Sequence, residues 1–443
     1  MRTYISYGRE KLPINVPDDA VVLAPASPLA VPVPDATTRE AFERPLGTPP
    51  LAALALQKSG GTACIVVSDI TRPVPYTTLL PPLLETLEEN GIASSDISIL
   101  IGTGMHRPST AEEREEMFGP DVCANYRIID HDAKDDASLV TLPERTSHGT
   151  EVSLDRVYMD ADLKIVTGLV EPHFMAGYSG GRKGVCPAIV NLKTIQNFHG
   201  PGFLEHPNAT NGILEGNPCH EESLDVAHIA GVDFLLNVAM NLDREIVGVF
   251  AGDLDEAFAE AVRCVDSYCR ADVEEEADIV ITSGGGYPLD KTLYQVVKGM
   301  VGAMPAVCES GTILIAAECS EGIGSREYRD LMHEYSGRHK EFLNDITASP
   351  VVRKDQWELE MQCKVLGKVG EDGLILSTRG ISREELPKMS LTSGYEYSDS
   401  EEPVTMLQET IDKLLSDYPG EPKIVVIPEG PYVLTGVGAP VGA

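Results

Sequence analysis

Gly168-Leu-Val-Glu-Pro-His-Phe-Met-Ala-Gly-Tyr-Ser-Gly-Gly-Arg-Lys-Gly184 is the stretch on which the fold and the chemistry of this chain turn. An apolar run, Leu163-Lys-Ile-Val-Thr-Gly168, feeds into it with the composition of a buried strand. His173 follows, then a turn bearing Gly177, Gly180 and Gly181, then the basic pair Arg182 and Lys183. A helical stretch from about Asn191 carries Gln196 and leads to His199. Strand, glycine-rich turn with lysine, then helix is a common way to hold a phosphate. Backbone N–H groups and a helix N-terminus donate, and the lysine adds charge. The spacing is not Gly-x-x-x-x-Gly-Lys-[Ser/Thr], so the nucleoside-triphosphate loop is excluded. The expectation is a different phosphorylated group, with imidazoles on either side.

Outward from this stretch, strands and helices alternate. Ala63–Val67 is an unbroken β-branched run, followed by the loop Ser68–Pro75 and an amphipathic helix, Tyr76–Asn90. Asp96–Ile101 is the next strand, and Ser109 with Glu112 forms a capping box for a helix ending near Phe118. Asp155–Met159 reads as a further short strand, and Phe234–Met240 with Glu245–Phe250 as a strand pair. After the acidic Asp272–Glu276, a candidate hinge, a second series begins with Ile279–Thr282, the turn Ser283-Gly-Gly-Gly-Tyr-Pro288 and a helix over Asp290–Gly302. The pattern predicts an α/β protein with two domains and mostly parallel sheets. The domains are expected over 1–270 and 271–420, with a strand and tail at 421–443 left unassigned. Ligands in such sheets sit beyond the carboxyl ends of strands. Four loops there carry reactive residues: Asp69/Thr71/Arg72, His106/Arg107, His173 to Lys183, and Gly284 to Lys291 ahead of Tyr294, Gln295 and Lys298. A cleft between the domains is the expected active site.

The 443 residues carry a formal charge of −34, spread along the chain, which argues against nucleic acid or an anionic membrane as a partner. Nine cysteines without a Cys-x-x-Cys pair suggest neither a disulfide framework nor a zinc ribbon, and fit a reducing compartment. The N-terminus lacks an apolar signal core and no apolar run reaches bilayer length, so a cytoplasmic location is expected.

Five motifs, in order and spacing, resemble the nickel-dependent lactate racemase family: Ser68-Asp-Ile-Thr-Arg-Pro73, Gly104-Met-His-Arg-Pro108, Glu171-Pro-His173, Ser179-Gly-Gly-Arg-Lys183, and Leu293-Tyr-Gln295 with Lys298. Together they cover nearly the whole chain. The resemblance implies a nickel-pincer nucleotide, a pyridinium thioamide/thiocarboxylate mononucleotide. Lys183 would hold it covalently in the first domain, amid Asp69, Thr71, Ser179, Gly180, Gly181 and Arg182. His199 would be the protein ligand to nickel, and enzymes of cofactor synthesis would be needed for maturation. His106 and His173 would be the acid/base pair. Arg72, Tyr294, Gln295, Lys298 and Trp357 would bind the substrate, a small 2-hydroxy acid, with the second domain closing over it.

The residue types suit that chemistry. Inverting a 2-hydroxy acid breaks a C–H bond beside a weakly acidifying carboxylate. A hydride acceptor makes this accessible: a base takes the hydroxyl proton, hydride leaves carbon, and the planar keto acid can take hydride back on either face. Two imidazoles can serve the two enantiomers, and a cationic pocket holds the carboxylate. Taken alone, His199 is a poor metal ligand, having no second histidine at i+4, and Trp357 could be plain core. His131, His148, His206, His220, His228, His333 and His339 are given no role. After Lys183 the chain reads Gly184-Val-Cys-Pro187 where the family pattern is more apolar after a small polar residue, so the exposed side of the cofactor is expected to differ. The rival enzyme reading is a nicotinamide-dependent hydroxy-acid dehydrogenase, disfavoured because no Gly-x-Gly-x-x-Gly follows an early strand. The rival outside enzymes is a nucleotide carrier, which would not need paired histidines.

Overall fold

The computed structural model describes residues 1–349 and 351–438. Two six-stranded sheets carry the fold. The first runs Ile246–Gly252, Phe234–Met240, Leu163–Leu169, Ala63–Ser68, Ile97–Gly102, Arg127–Asp130, and only its outermost strand, Ile246–Gly252, is antiparallel. The second runs Thr392–Ser393, Leu374–Ser377, Val307–Ala316, Ala277–Ser283, Ile424–Ile427, Val21–Val22 and is parallel throughout. Both match the expected α/β class with mostly parallel sheets.

Side chains alternate across each strand, so each sheet has two buried faces. Ile65 and Val67 face a core beneath the helices Pro34–Glu43, Leu51–Gln57 and Tyr76–Glu89, whereas Cys64 and Val66 face the opposite way. In the second sheet Ile279 and Ile281 pack toward the N-terminal hairpin and the helix Pro403–Asp417, and Val280, Ile313 and Ile315 face the other side. The faces holding Val66 and Val280 belong to one continuous apolar cluster, which also includes the helices Leu293–Ala303 and Gln356–Val369. Each sheet is therefore joined to the other through a shared core.

Four sequence expectations change. The hairpin Arg2–Tyr7/Glu10–Asn15 and the strand Val21–Val22 lie on the second sheet, so the first 22 residues of the expected 1–270 domain are built into the other unit. Strand Ile424–Ile427 is also in that sheet, between Ala277–Ser283 and Val21–Val22; residues 439–443 of the tail lie outside the described residues. The expected strand Asp155–Met159 is a strand only to Asp155, whose carboxylate caps the short helix Arg156–Met159 by accepting from the Val157 N–H at 2.9 Å. The capping box is Thr110/Glu113, one residue later than expected, because the Ser109 N–H is taken by Asp130 at 2.9 Å. The segment expected as a hinge is tied by the parallel bridges Arg270–Leu434 and Val273–Val437. Among the described residues no helix is long and apolar enough to cross a membrane.

In the first sheet the chain passes from Ala63–Ser68 to Ile97–Gly102 and Arg127–Asp130, then returns to place Leu163–Leu169 on the other side of Ala63–Ser68. That reversal opens a crevice beyond the carboxyl ends of the two strands. Asp69–Arg72 and Glu171–His173 emerge there, side by side.

Candidate active site

Strands Ala63–Ser68 and Ile97–Gly102 are parallel and in register, with Ser68 opposite Gly102, so the loops after them lie together. Asp69 from one loop meets His106 from the other: Oδ2 lies 2.6 Å from His106 Nδ1. Asp69 Oδ1 accepts from the Thr71 hydroxyl at 2.6 Å and the Thr71 N–H at 3.2 Å. Burial pushes the Asp69 carboxyl up, but the bonds from His106 and Thr71 and the charge of Arg72 outweigh it and hold the group below its ordinary range. A carboxylate at Nδ1 keeps the imidazole proton on that nitrogen, leaving a lone pair on Nε2. Asp69, expected at the cofactor, orients His106, and Thr71, expected there too, holds Asp69.

His173 sits on a two-residue ladder, Pro172–His173 against Gly177–Tyr178. The turn requires Gly177: its φ is +76° and an added Cβ would lie 2.3 Å from the Ile213 carbonyl oxygen. His173 Nδ1 accepts from the N–H groups of Met175 (3.2 Å) and Ala176 (3.3 Å), so its neutral ring carries the proton on Nε2. Burial, then the charges of Lys183, Arg72, Lys298 and Arg182, hold its pKa well below the usual imidazole value. The two imidazoles are thus unlike: His106 offers a lone pair and His173 an N–H.

The glycine turn is packed rather than open. An added Cβ at Gly180 would lie 2.7 Å from Val170 and at Gly181 2.5 Å from the Phe258 ring. The Gly181 N–H donates to Asn237 at 2.9 Å, the Ser179 hydroxyl to the Leu169 carbonyl at 2.7 Å, and the Lys183 N–H to the Gly180 carbonyl at 3.1 Å. Arg182 is fully buried, donates to the Ala176 carbonyl at 2.6 Å and lies 4.4 Å over the Phe258 ring. Gly181–Gly184 is a 3₁₀ turn, and the next helix, Leu192–Phe198, starts well beyond it. The Gly181 N–H, the Ser179 hydroxyl and one guanidinium nitrogen of Arg182 are thus engaged within the protein, while Arg182 Nε is buried without a partner among the described residues.

Lys183 differs from its neighbours. Among the described residues no hydrogen bond or ion pair engages its Nζ, which lies 5.2 Å from the Phe198 ring centre. Burial, Arg182 and Arg72 lower it to about 7. His199 closes the same wall at the end of Leu192–Phe198, where its Nδ1–H donates to the Ile195 carbonyl at 2.9 Å. Burial and the Lys183 charge lower it to about 3. An anchored Nδ1–H leaves the Nε2 lone pair for a metal, the usual arrangement behind a metal-binding imidazole. A neutral, unpaired amine and an oriented imidazole lone pair fit a group that carries both an electrophile and a soft metal.

The second unit contributes through two helices. The His199 ring lies 4.8 Å from Trp357, tilted by 33°, and Trp357 Nε1–H donates to the Tyr294 oxygen at 3.0 Å. Arg72, Glu171, His173, Phe174, Lys298 and Tyr432 line one cavity of about 40 Å³. Arg72 Nε is 3.7 Å from Glu171 Oε1. Burial and Arg72 lower Lys298 to about 8, against the opposing charges of Glu171 and Glu358. Gln295, on the same helix as Lys298, has a buried carbonyl oxygen without a partner among the described residues. A larger cavity, about 470 Å³, opens beyond Glu171 and Pro172 toward Arg9 and Tyr287, and none of the proposed catalytic, metal-binding or substrate-binding side chains lines it. Its lining, not its size, sets it apart from the small cavity, where Arg72, Lys298 and His173 converge.

Two carboxylates here went unassigned in the sequence. Glu171 lay inside a quoted motif and could have been found as the acid before Pro-His. Glu358 is 2 % exposed with Oε1 unpaired, and burial holds it well above its ordinary value. Its only sequence signal is a charge in an otherwise buried helix turn beside Trp357.

Residues 7–212 match the family described as lactate racemase N-terminal domain, and residues 273–435 match lactate racemase C-terminal domain. A lactate racemase from Thermoanaerobacterium thermosaccharolyticum is 32% identical over 444 residues, spanning 97% of this chain and 98% of that protein. A lactate racemase from Lactiplantibacillus plantarum is 36% identical over 332 residues, 74% of this chain and 77% of that one. The solved structure of the T. thermosaccharolyticum lactate racemase apoprotein superposes with a TM-score of 0.87 at 31% identity, covering 98% of this chain and all of that one.

Proposed function

Because the chain belongs to the lactate racemase family, and is therefore an isomerase of the racemase type, we propose that it interconverts the enantiomers of a small 2-hydroxy acid, lactate or a close relative. The observation that carries this reading is the convergence of Arg72, His173 and Lys298 on one small cavity between the two units. Three groups suited to a carboxylate and a neighbouring hydroxyl meet there.

Arg72 and Lys298 anchor the carboxylate, the guanidinium by a two-pronged contact and the ammonium by charge. His106 Nε2 receives the hydroxyl proton, and Asp69 stabilises the resulting imidazolium through Nδ1. His173, held by two backbone donors, directs its Nε2–H at the same oxygen in the opposite enantiomer. For the opposite enantiomer the roles exchange. The imidazole that gives the oxygen its proton does so as the imidazolium and is left neutral; the one that took the hydroxyl proton is left protonated, and the two are reset through solvent between turnovers. Trp357, bonded to Tyr294 and packed on the His199 ring, would wall the site on the side of the metal ligand.

The proposed cofactor is the nickel-pincer nucleotide, with Lys183 Nζ as its covalent anchor and His199 Nε2 as the protein ligand to nickel. When bound, it supplies the acceptor for the hydrogen on the substrate carbon. The free Lys183 amine and the oriented His199 lone pair support this reading. Protein made together with the cofactor-synthesis enzymes should show an adduct by intact-mass spectrometry, absent from Lys183→Ala, and should carry nickel. Full racemase activity in protein with unmodified Lys183 and no nickel sinks the cofactor assignment.

A further inference from the structure

His148, which the racemase reading leaves without a role, lies at the tip of the hairpin Leu139–Arg145/Glu151–Asp155. The tip is a tight turn: Gly149 has φ +82°, its N–H donates to the Thr146 carbonyl at 2.8 Å, and the Thr150 N–H donates to the Thr146 hydroxyl at 3.0 Å. The turn lies over one face of the helix Pro218–Ala230, where Glu222 and Asp225, three residues apart, project together. His148 Nδ1 is 3.1 Å from Glu222 Oε2, and one ligand atom from each of His148, Glu222 and Asp225 lies within 4.8 Å of the others. Two ligands at about 2.0–2.1 Å from a tetrahedral ion stand about 3.3 Å apart. The His148–Glu222 spacing is already close to that, and a small turn of Asp225 completes the set. The site is empty.

Charge makes the case for an ion. The Glu222 side chain is fully buried, and Glu222 and Asp225 place two carboxylates side by side. Among the described residues no Lys or Arg forms an ion pair with either one; the nearby cations Arg145 and Lys193 are both engaged by Glu151. The Thr146 hydroxyl (3.2 Å) and His148 are the partners of Glu222, and the Ser147 N–H (2.8 Å) is that of Asp225. A protonated His148 cancels one of two charges, whereas a divalent ion cancels both. One imidazole and two carboxylates, with water completing the shell, is a donor set for zinc or a neighbouring transition ion.

We propose that His148, Glu222 and Asp225 form a second metal site, taking a divalent transition ion such as zinc, separate from the nickel centre assigned to His199. Its place suggests what it does. The His148 ring packs at 5.0 Å against Phe203, just after His199, and Ser223 of the same helix donates to the Cys186 carbonyl, three residues after Lys183. The ion braces from behind the wall that carries both cofactor residues.

Chelator-treated full chain, made without cofactor synthesis, is titrated with zinc chloride by calorimetry, and a zinc-soaked crystal is measured at the zinc edge. The expected result is one site whose affinity falls at least about tenfold in His148→Ala and in Asp225→Asn, is unchanged in His199→Ala, and coincides with an anomalous peak between the three side chains. Circular dichroism and melting of each variant establish that it is folded; His148 is exposed enough for its loss to be tolerated. No zinc uptake by the wild type, wild-type affinity in both site variants, or a peak elsewhere overturns the proposal.

Discussion

Lys183 can be tested before any cofactor is present. Its amine is half-buried among Arg182, Arg72 and the Phe198 ring, without a partner, and is lowered to about 7. At pH 7.5 a group of that pKa is about three-quarters neutral, whereas an ordinary lysine near 10.4 is only about 0.1% neutral, several hundredfold less free amine. Trace acetylation of the apoprotein across pH 6–10, read peptide by peptide by mass spectrometry, should therefore show Lys183 reacting with a midpoint near 7 while surface lysines rise only toward 10. The same shift has a sign in stability. Between about pH 7 and 10.5 the unfolded chain holds a proton that the folded chain has shed, so stability due to this group falls as pH drops through that window and is level below it. Lys183→Met removes that slope and should stabilise the apoprotein at pH 7. If Lys183 labels in step with the surface lysines, and Lys183→Met leaves the pH dependence of unfolding unchanged, the neutral-nucleophile argument is refuted.

Three further outcomes follow from the same geometry. His199→Ala should keep the nucleotide adduct on Lys183 but lose nickel and activity, checked by intact mass and elemental analysis on one sample. Arg72→Ala removes one charge-assisted contact in a closed site and should cost about 2–5 kcal/mol in kcat/KM on 2-hydroxy acids, with uncharged hydroxy-amides no better turned over than by the wild type. Asp69→Asn leaves His106 in place but removes the acceptor that sets its tautomer, so kcat should fall by about 10²–10⁴-fold with little change in KM; an unchanged kcat refutes the orienting role.

The sheets were legible wherever burial on both faces produced unbroken apolar runs, as at Ala63–Ser68 and Leu374–Ser377. The short strand at Val21 was legible as Val21–Ala24, but not the sheet it joins, because its pairing with Val425 and Val426 is set by a partner about four hundred residues away. Ser109 and Thr110 could each cap the helix; Asp130, a tertiary partner, decided between them. In the candidate site, residue types and spacing singled out the right loops but not how their donors are used. Gly180, Gly181 and Ser179 look like a phosphate loop in sequence, yet Asn237 and the Leu169 carbonyl, on strands remote in sequence, bond the Gly181 N–H and the Ser179 hydroxyl. Arg182, read in the sequence as part of the basic pair at the cofactor, is fully buried against the Phe258 ring and the Ala176 carbonyl, which no linear pattern signals. The inequality of His106 and His173 rests on which ring nitrogen meets Asp69 or the backbone, a matter of geometry that no linear motif encodes.

The central claim is that the two histidines handle the hydroxyl proton and never the carbon-bound one. Racemisation in heavy water tests it most directly. A hydrogen parked on an imidazole exchanges with solvent, whereas one that never resides on a side chain does not. The account predicts that product from the first turnovers retains its original carbon hydrogen, and that deuterium at that carbon slows turnover. Substantial solvent deuterium at the product carbon during those turnovers would contradict it and make His106 and His173 bases acting on carbon from opposite faces.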